Sequence, residues 1–219
     1  MARIKVKTDA SKVRIKLEEE TKSPVFVTPP STEPPKPSEP VKPPKKAALL
    51  SPRFINLMEI RAESVFCPGE EDVEIVYALS GSEPNIPTML HQLSSSTVVE
   101  EATPEHITSS VEGMVVHIKK ERGNDPKLVV AVHTHPESVP APSEADKRYF
   151  QSAAQTMRSL IPDVNIIFGV HAVSGESIKE RREPAKTSKN VIKWSSITRG
   201  HEVGFYTQNA EPYEVEIVG

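Results

Sequence analysis

The stretch LVVAVHTHPESVPAPSEAD, residues 128–146, combines an apolar run, two histidines one residue apart and a loop broken by prolines. The short continuous apolar run, Leu128 to Val132, is typical of a strand that is buried on both faces. Pro136 and Pro140 cannot continue a ladder of backbone hydrogen bonds, so the chain is expected to turn after the histidines. Ser143 then begins a predicted helix. The order strand, loop, helix predicts an α/β fold.

Outward from this stretch, helices and strands alternate from residue 47 onwards, which predicts one α/β domain with a mixed sheet. Three helices and at least six strands are expected. The first is a helix opened by Ser51-Pro52 and stopped by Pro68-Gly69, followed by a strand over Val73 to Leu79 and a strand-like or loop segment over 85–103. A helix opened by Pro104 and ended by Gly123 comes next, and then the strand and helix described above. The remaining strands are expected over 164–173 and in VIKWSSI, VGFYT and YEVEIV.

The N-terminal part of the chain has a different composition. Residues 1–20 alternate apolar with basic side chains around a turn-like TDAS, which predicts a two-stranded hairpin. Residues 21–46 are rich in proline: nine of the 21 residues from Pro24 to Pro44 are prolines. Such a segment buries too little apolar surface to fold, so we predict a flexible linker. The globular domain is therefore expected to span residues 47–219.

The overall composition narrows the class of protein. A net charge of −3 over 219 residues gives no electrostatic reason to expect nucleic acid as a partner. One cysteine, Cys67, excludes a disulfide framework and a thiolate zinc knuckle. The chain begins without the apolar core of a signal peptide, and no apolar run is long enough to span a bilayer. We therefore expect a cytoplasmic protein that acts without a membrane.

The two histidines indicate a metal centre. Side chains two residues apart on a strand share one face, so His133 and His135 project together from the strand end. Asp146 follows in the first turn of the predicted helix. Two imidazoles and one carboxylate can converge on zinc, and three protein ligands leave a fourth position for a water that the ion acidifies.

Other interpretations fit the same residues. Ser143 and Asp146 match an S-x-x-D capping box, which would explain both without a metal and would compete for the Asp146 carboxylate. Two histidines and a carboxylate also form the facial triad of non-haem iron oxygenases, although many of those are all-β barrels. The remaining histidines are interpreted as packing or surface residues: His91, His106, His117, His171 and His201.

A zinc hydrolase also needs a general base within hydrogen-bond reach of the attacking water. Among the nearby glutamates, Glu74 is favoured because it begins a strand whose neighbours alternate as buried residues. Spacing alone leaves the other glutamates open, namely Glu70, Glu71, Glu83, Glu100, Glu101 and Glu137.

Together these residues resemble a known family. The pattern H-x-H-P, six residues, then S-x-x-D, in His133, His135, Pro136, Ser143 and Asp146, is similar to the JAMM motif of the MPN+ metalloproteases. The pattern E-x-x-x-x-x-S-G, residues 74–81, resembles the strand that carries the catalytic glutamate of that family. The chain looks most like archaeal homologues of the proteasome-lid deubiquitinase. The resemblance implies a cytidine-deaminase-like MPN domain, with a mixed curved sheet flanked by helices.

The resemblance also implies roles for individual residues. His133, His135 and Asp146 would bind one catalytic Zn²⁺. Glu74 would take a proton from the water and give it to the leaving amine. The Ser143 hydroxyl would stabilise the developing oxyanion. The expected reaction is isopeptide cleavage after the C-terminal Gly-Gly of ubiquitin or a ubiquitin-like modifier.

Substrate and partners follow from the same resemblance. Residues 94–103 match the position of an insertion that binds the modifier's tail by strand addition, with contacts expected from Ser96, Thr97, Val98 and Val99; a disordered polar loop is the alternative. Residues 176–190 are expected to form a solvated surface. The proteasome or a second MPN subunit is a further expected partner. The alternative functions are a peptidase that matures a small ubiquitin-like sulfur carrier, and a non-catalytic MPN scaffold.

Overall fold

The structure is a computed structural model that describes residues 47–64, 74–93, 98–102, 107–136, 139–175 and 180–219. The described elements are eleven strands and three helices. The helices are α1 (Pro52–Glu63), α2 (Val111–Arg122) and α3 (Glu144–Leu160). The strands are β1 (Ala48–Leu50), β2 (Val76–Gly81), β3 (Met89–Gln92), β4 (Val99–Ala102), β5 (Ile107–Ser109), β6 (Leu128–Pro136), β7 (Asn165–Ser174), β8 (Arg182–Ser188), β9 (Val191–Ser195), β10 (Gly200–Tyr206) and β11 (Val215–Ile217).

Seven strands form one mixed sheet in the order β3-β2-β6-β7-β10-β9-β8. Strands β6 and β7 are parallel, whereas the other neighbours in this sheet are antiparallel. Two short pairs lie outside it, β1 with β11 in parallel and β4 with β5 in antiparallel. The predicted α/β class and mixed sheet are confirmed.

The sheet separates two apolar cores, and β6 contributes side chains to both of them. Val129 and Ala131 pack with buried residues of α2 and α3, while Val130 and Val132 pack on the other face with residues of α1. This is the two-sided burial that the uninterrupted apolar run predicts. The strand continues through both histidines as far as Pro136, which pairs with Val173 of β7.

Two elements start later than predicted, and α1 ends at Glu63, before the predicted stop at Pro68-Gly69. The helix expected to open at Pro104 begins at Val111, because residues 107–109 form β5 and the Ser110 side chain caps the helix by accepting a hydrogen bond from the Gly113 N–H. The strand expected from Val73 begins at Val76. In both cases pairing with another strand, which local periodicity does not report, decides where the element starts.

The fold also contains strands that were not predicted, among them β8 and β1. Strand β8 lies inside the segment expected to be a solvated surface; its side chains are mostly exposed, but its backbone pairs with β9. Strand β1 likewise escaped prediction because it has only three residues. The strands expected in the last 30 residues are confirmed as β9, β10 and β11.

The hairpin predicted over residues 1–20 and the linker over 21–46 lie outside the described residues, so the division into three segments stays a prediction. Within the described part of the chain, none of the helices has the length and apolar character required to cross a bilayer.

The face of α3 that packs on the sheet is centred on Phe150. Its ring is fully buried and stacks on Phe168 of β7, with centroids 4.3 Å apart and planes 12° from parallel. We predict that Phe150→Ala lowers the free energy of unfolding by about 3–5 kcal/mol, because it removes this contact and leaves a cavity. Leu160→Ala, at a position of the same helix that is 38% exposed, should cost about 1 kcal/mol or less.

Urea denaturation of the two variants and of the wild type measures both values. Equal losses in the two variants would contradict the assignment of α3 to this core.

Candidate metal centre

The centre forms where the last residues of β6 meet the first turn of α3. His133 and His135 leave the same face of β6, and their Nε2 atoms lie 3.0 Å apart. The Asp146 carboxylate approaches from α3: its Oδ1 lies 3.1 Å from His133 Nε2, and its Oδ2 lies 3.4 Å from His135 Nε2. The ligand atoms of the three residues all lie within 4.8 Å of one another.

These separations fit a metal ion. Four ligands held tetrahedrally at zinc–nitrogen and zinc–oxygen distances would lie about 3.3 Å from each other. His133 is 7% exposed, and the side chains of His135 and Asp146 are 13% and 16% exposed. Two imidazoles and a carboxylate that converge in a mostly buried position form a donor set suited to a divalent transition metal. The three residues are therefore a candidate metal-binding group.

Asp146 serves two arrangements at once. Its Oδ2 accepts hydrogen bonds from the Ser143 N–H and the Ser143 hydroxyl, each at 2.7 Å, while the Asp146 N–H donates to Ser143 Oγ at 3.2 Å. This is a complete capping box at the start of α3. Its Oδ1 faces His133 instead. The capping and metal interpretations of Asp146 are thus compatible, because each can use a different oxygen.

The charges of the group are coupled. Burial raises the pKa of Asp146, but hydrogen bonds from His133 and His135, with the charge of His133, outweigh it and hold that pKa far below its ordinary value. Burial lowers the pKa of His135, but the hydrogen bond and charge of Asp146, with the charge of Glu74, outweigh it and raise that pKa above its ordinary value. The raised pKa favours a proton on the His135 imidazole, and that proton would compete with a metal ion.

Glu74 lies next to this group but is not one of its three residues. Its side chain is 7% exposed, and its Oε1 lies 3.8 Å from His135 Nε2. Glu74 comes two residues before β2, although it was expected to begin that strand. Its position near the histidines accords with the predicted role of a base, which stays a prediction.

A residue that the sequence interpretation overlooked holds the backbone beside Glu74. Thr134 points away from the two histidines and is fully buried. Its hydroxyl accepts a hydrogen bond from the Ile75 N–H, and its own N–H donates to the Ile75 carbonyl, both at 2.9 Å. Thr134 therefore ties the backbone next to Glu74 to the strand that carries the histidines. The only signal in the sequence is a β-branched hydroxyl residue between them.

The loop between β6 and α3 is held from the C-terminal part of the sheet. The Tyr206 hydroxyl of β10 donates to the Pro140 carbonyl at 2.5 Å. The same carbonyl approaches Gly204 so closely that a Cβ there would lie 2.2 Å from its oxygen. Residue 204 must therefore be glycine for the loop to sit where it does.

The residues predicted to bind a substrate tail are only partly described. Ser96 and Thr97 lie outside the described residues. The Val98 side chain is fully buried, and its carbonyl accepts a hydrogen bond from the Ser110 N–H at 2.7 Å. Val99 begins β4 and pairs with Ser109. Tail binding at these four residues stays a prediction.

Comparison with known proteins places these observations in context. Residues 61–184 match the family model for prokaryotic homologues of the JAB domain. Among solved structures, the chain is similar to a JAB1/MPN domain protein from Archaeoglobus fulgidus at 15% sequence identity, over 80% of this chain and 100% of that one, with a TM-score of 0.38. No curated protein matches the chain.

The raised pKa of His135 predicts how metal binding depends on pH. An ion can bind Nε2 of His135 only after the proton leaves that nitrogen. The apparent affinity for the ion should therefore fall about tenfold per pH unit below the pKa of His135 and level off above it. Calorimetric titration of Zn²⁺ in buffers of different ionisation enthalpy measures the protons released. His135→Ala is the control, and it should lose both this ion and its proton release. Binding of this ion without proton release at pH 6 would contradict the prediction.

Proposed function

The chain belongs to the family of prokaryotic homologues of the JAB domain, and on that premise we propose that it is a zinc-dependent isopeptidase. Its substrates would be conjugates of ubiquitin or a ubiquitin-like modifier, cleaved after the C-terminal Gly-Gly. The observation that carries the proposal is the convergence of His133, His135 and Asp146 with the buried carboxylate of Glu74 alongside.

Zinc is the ion proposed for the centre. A neutral imidazole pair with one carboxylate suits Zn²⁺, and three protein ligands are the number that catalytic zinc sites use. A bound zinc ion would supply an acidified water and polarise the carbonyl of the scissile bond. The Asp146 oxygen that caps α3 would keep the carboxylate oriented towards the histidines.

Glu74 would move the proton. Oε1 lies 3.8 Å from His135 Nε2, so a water held at the centre would come within hydrogen-bond reach of this carboxylate. The carboxylate would accept the proton of the attacking water and return it to the nitrogen of the leaving amine. Its burial limits competition from bulk water, and Thr134 holds the backbone of the next residue, Ile75.

Ser143 would stabilise the oxyanion. Its side chain is exposed at the start of α3, where the helix dipole also favours negative charge. The hydroxyl hydrogen can turn from Asp146 towards the substrate without loss of the cap, because the Ser143 N–H still donates to the same carboxylate oxygen. The group would then donate to the developing negative charge.

An extended Gly-Gly tail is a substrate that such a centre could process. Glycines have no side chains that could collide with the protein around the scissile peptide bond. Strand pairing would hold the tail in register. The segment from Val98 to Val99, with Ser96 and Thr97, is proposed to supply that pairing. We further propose that the protein acts in the cytoplasm and assembles with the proteasome or with a second MPN subunit. A small sulfur-carrier protein with the same C-terminus is the alternative substrate.

The role of Glu74 is tested with a fusion that carries the Gly-Gly end of a ubiquitin-like modifier. Glu74→Gln should lower the cleavage rate by about 10²–10⁴-fold, because it removes the base and keeps the shape. A zinc chelator should abolish cleavage by the wild type. Glu83→Gln, at an exposed glutamate, should leave the rate unchanged.

Three other results would redirect the proposal. Cleavage by Glu74→Gln at the wild-type rate would place the base elsewhere. Cleavage of a sulfur-carrier precursor but of no isopeptide conjugate would favour the processing peptidase. A wild type that binds no zinc at His133 and His135 would favour the scaffold.

Ser143→Gly separates catalysis from capping. Glycine at a helix N-cap costs only a few tenths of a kcal/mol relative to serine, whereas loss of an oxyanion donor costs about 10²–10³-fold in kcat. We therefore expect near-native thermal stability, retained zinc and a strongly lowered kcat. Ser152→Ala, at an exposed position of α3, is the control. An unchanged kcat in Ser143→Gly would remove Ser143 from the mechanism.

A further inference from the structure

A second group of metal-ligating side chains lies between β3 and α2. His91 comes from β3, while His117 and Glu121 lie one turn apart on α2. The ligand atoms of the three residues all lie within 4.8 Å of one another. A histidine and a glutamate four residues apart on a helix share one face and can bind the same ion.

The contacts within this group are close. His91 Nδ1 lies 2.5 Å from Glu121 Oε2, and His117 Nε2 lies 3.3 Å from Glu121 Oε1. The two carboxylate oxygens of Glu121 thus each face a different imidazole. The two rings are 6.3 Å apart, at 83° to each other.

His117 gives the clearest indication of a missing ligand. Its Nε2 is buried, and although Glu121 Oε1 lies 3.3 Å away, no contact of this nitrogen with the described residues has the geometry of a hydrogen bond. A buried polar nitrogen without a partner is unfavourable by comparison with one that is bonded. An ion between the two histidines and Glu121 would satisfy this nitrogen, because neutral imidazole offers it a lone pair.

His91 has the surroundings of an oriented ligand. The side chain is fully buried, and its other ring nitrogen, Nε2, lies 2.7 Å from Ser80 Oγ. Arg122 donates a hydrogen bond to the same hydroxyl at 3.0 Å. A metal-bound histidine typically donates its second N–H to an oxygen in this way, which fixes the tautomer and the plane of the ring.

We propose that His91, His117 and Glu121 bind a second divalent transition-metal ion, of which zinc is the best match to two imidazoles and a carboxylate. Glu121 is 43% exposed and His117 is 27% exposed, so water can complete the coordination from that side. The ion would join β3, an edge strand of the sheet, to α2. Its role is structural, and it does not depend on the proposed isopeptidase activity.

This site is separate from the first centre. His91 lies opposite Ala78 of β2, and Ala78 lies opposite Ala131 of β6, two residues before His133. Two strand spacings and two residues along a strand place the Cα atoms of His91 and His133 roughly 12 Å apart. The two groups share no residue, and the ligand atoms of each lie within 4.8 Å of one another, so each group forms a site of its own.

The test uses the full chain and Zn²⁺ alone as the probe. His135→Ala disables the first centre, so any ion that this variant retains reports on the second. We expect His135→Ala to bind one Zn²⁺ in equilibrium dialysis, and its Tm to rise with zinc concentration. Adding Glu121→Gln or His117→Gln to His135→Ala should abolish both effects. Adding Glu112→Gln, at an exposed glutamate of the same helix, should preserve them.

Two results would overturn the proposal. If His135→Ala binds no zinc, the contact between His91 and Glu121 is only a hydrogen bond of the fold. If the ion persists at full affinity in both double variants, it binds elsewhere. Neither result depends on substrate cleavage, so this proposal and the proposed isopeptidase activity can fail independently.

Discussion

The position of the Asp146 carboxylate is the constraint on which the first centre depends. One of its oxygens accepts two hydrogen bonds from Ser143 and so fixes where α3 begins, while the other faces His133. Strand end and helix start are therefore joined through a single side chain. A shift in the first turn of α3 would therefore also move the Asp146 carboxylate relative to the two histidines. The same residue thus completes the capping box of α3 and belongs to the candidate metal-binding group.

Strand β6 gives this arrangement its rigidity. It lies inside the sheet between β2 and β7, and its side chains are buried on both faces. His133 is paired with both β2 and β7, and His135 is paired with β7, so both histidines extend from the sheet rather than from a loop. Thr134 uses the opposite face of the same strand to hold the backbone beside Glu74. A preorganised centre of this kind requires little rearrangement when it binds an ion or a substrate.

Much of this could be predicted from the sequence, because the signals are local. The apolar run, the one-residue spacing of His133 and His135, and the S-x-x-D pattern each depend on neighbours within a few residues. The features that were missed depend on distant partners. The start of α2 is set by the pairing of β4 with β5, and the anchoring role of Thr134 requires Ile75, 59 residues away. The sequence interpretation of His91 and His117 as packing or surface residues could not register their proximity, which arises only when β3 lies against α2.

The contacts of Pro140 with Tyr206 and Gly204 show that the loop before α3 depends on residues outside the segment that matches the family. The family match ends at residue 184, whereas these two residues of β10 lie beyond it. The loop that leads into α3 thus takes its shape from a part of the chain outside the recognised family segment. Transplanting residues 61–184 into another scaffold would carry over His133, His135 and Asp146 and leave behind the contacts that hold the loop at Pro140.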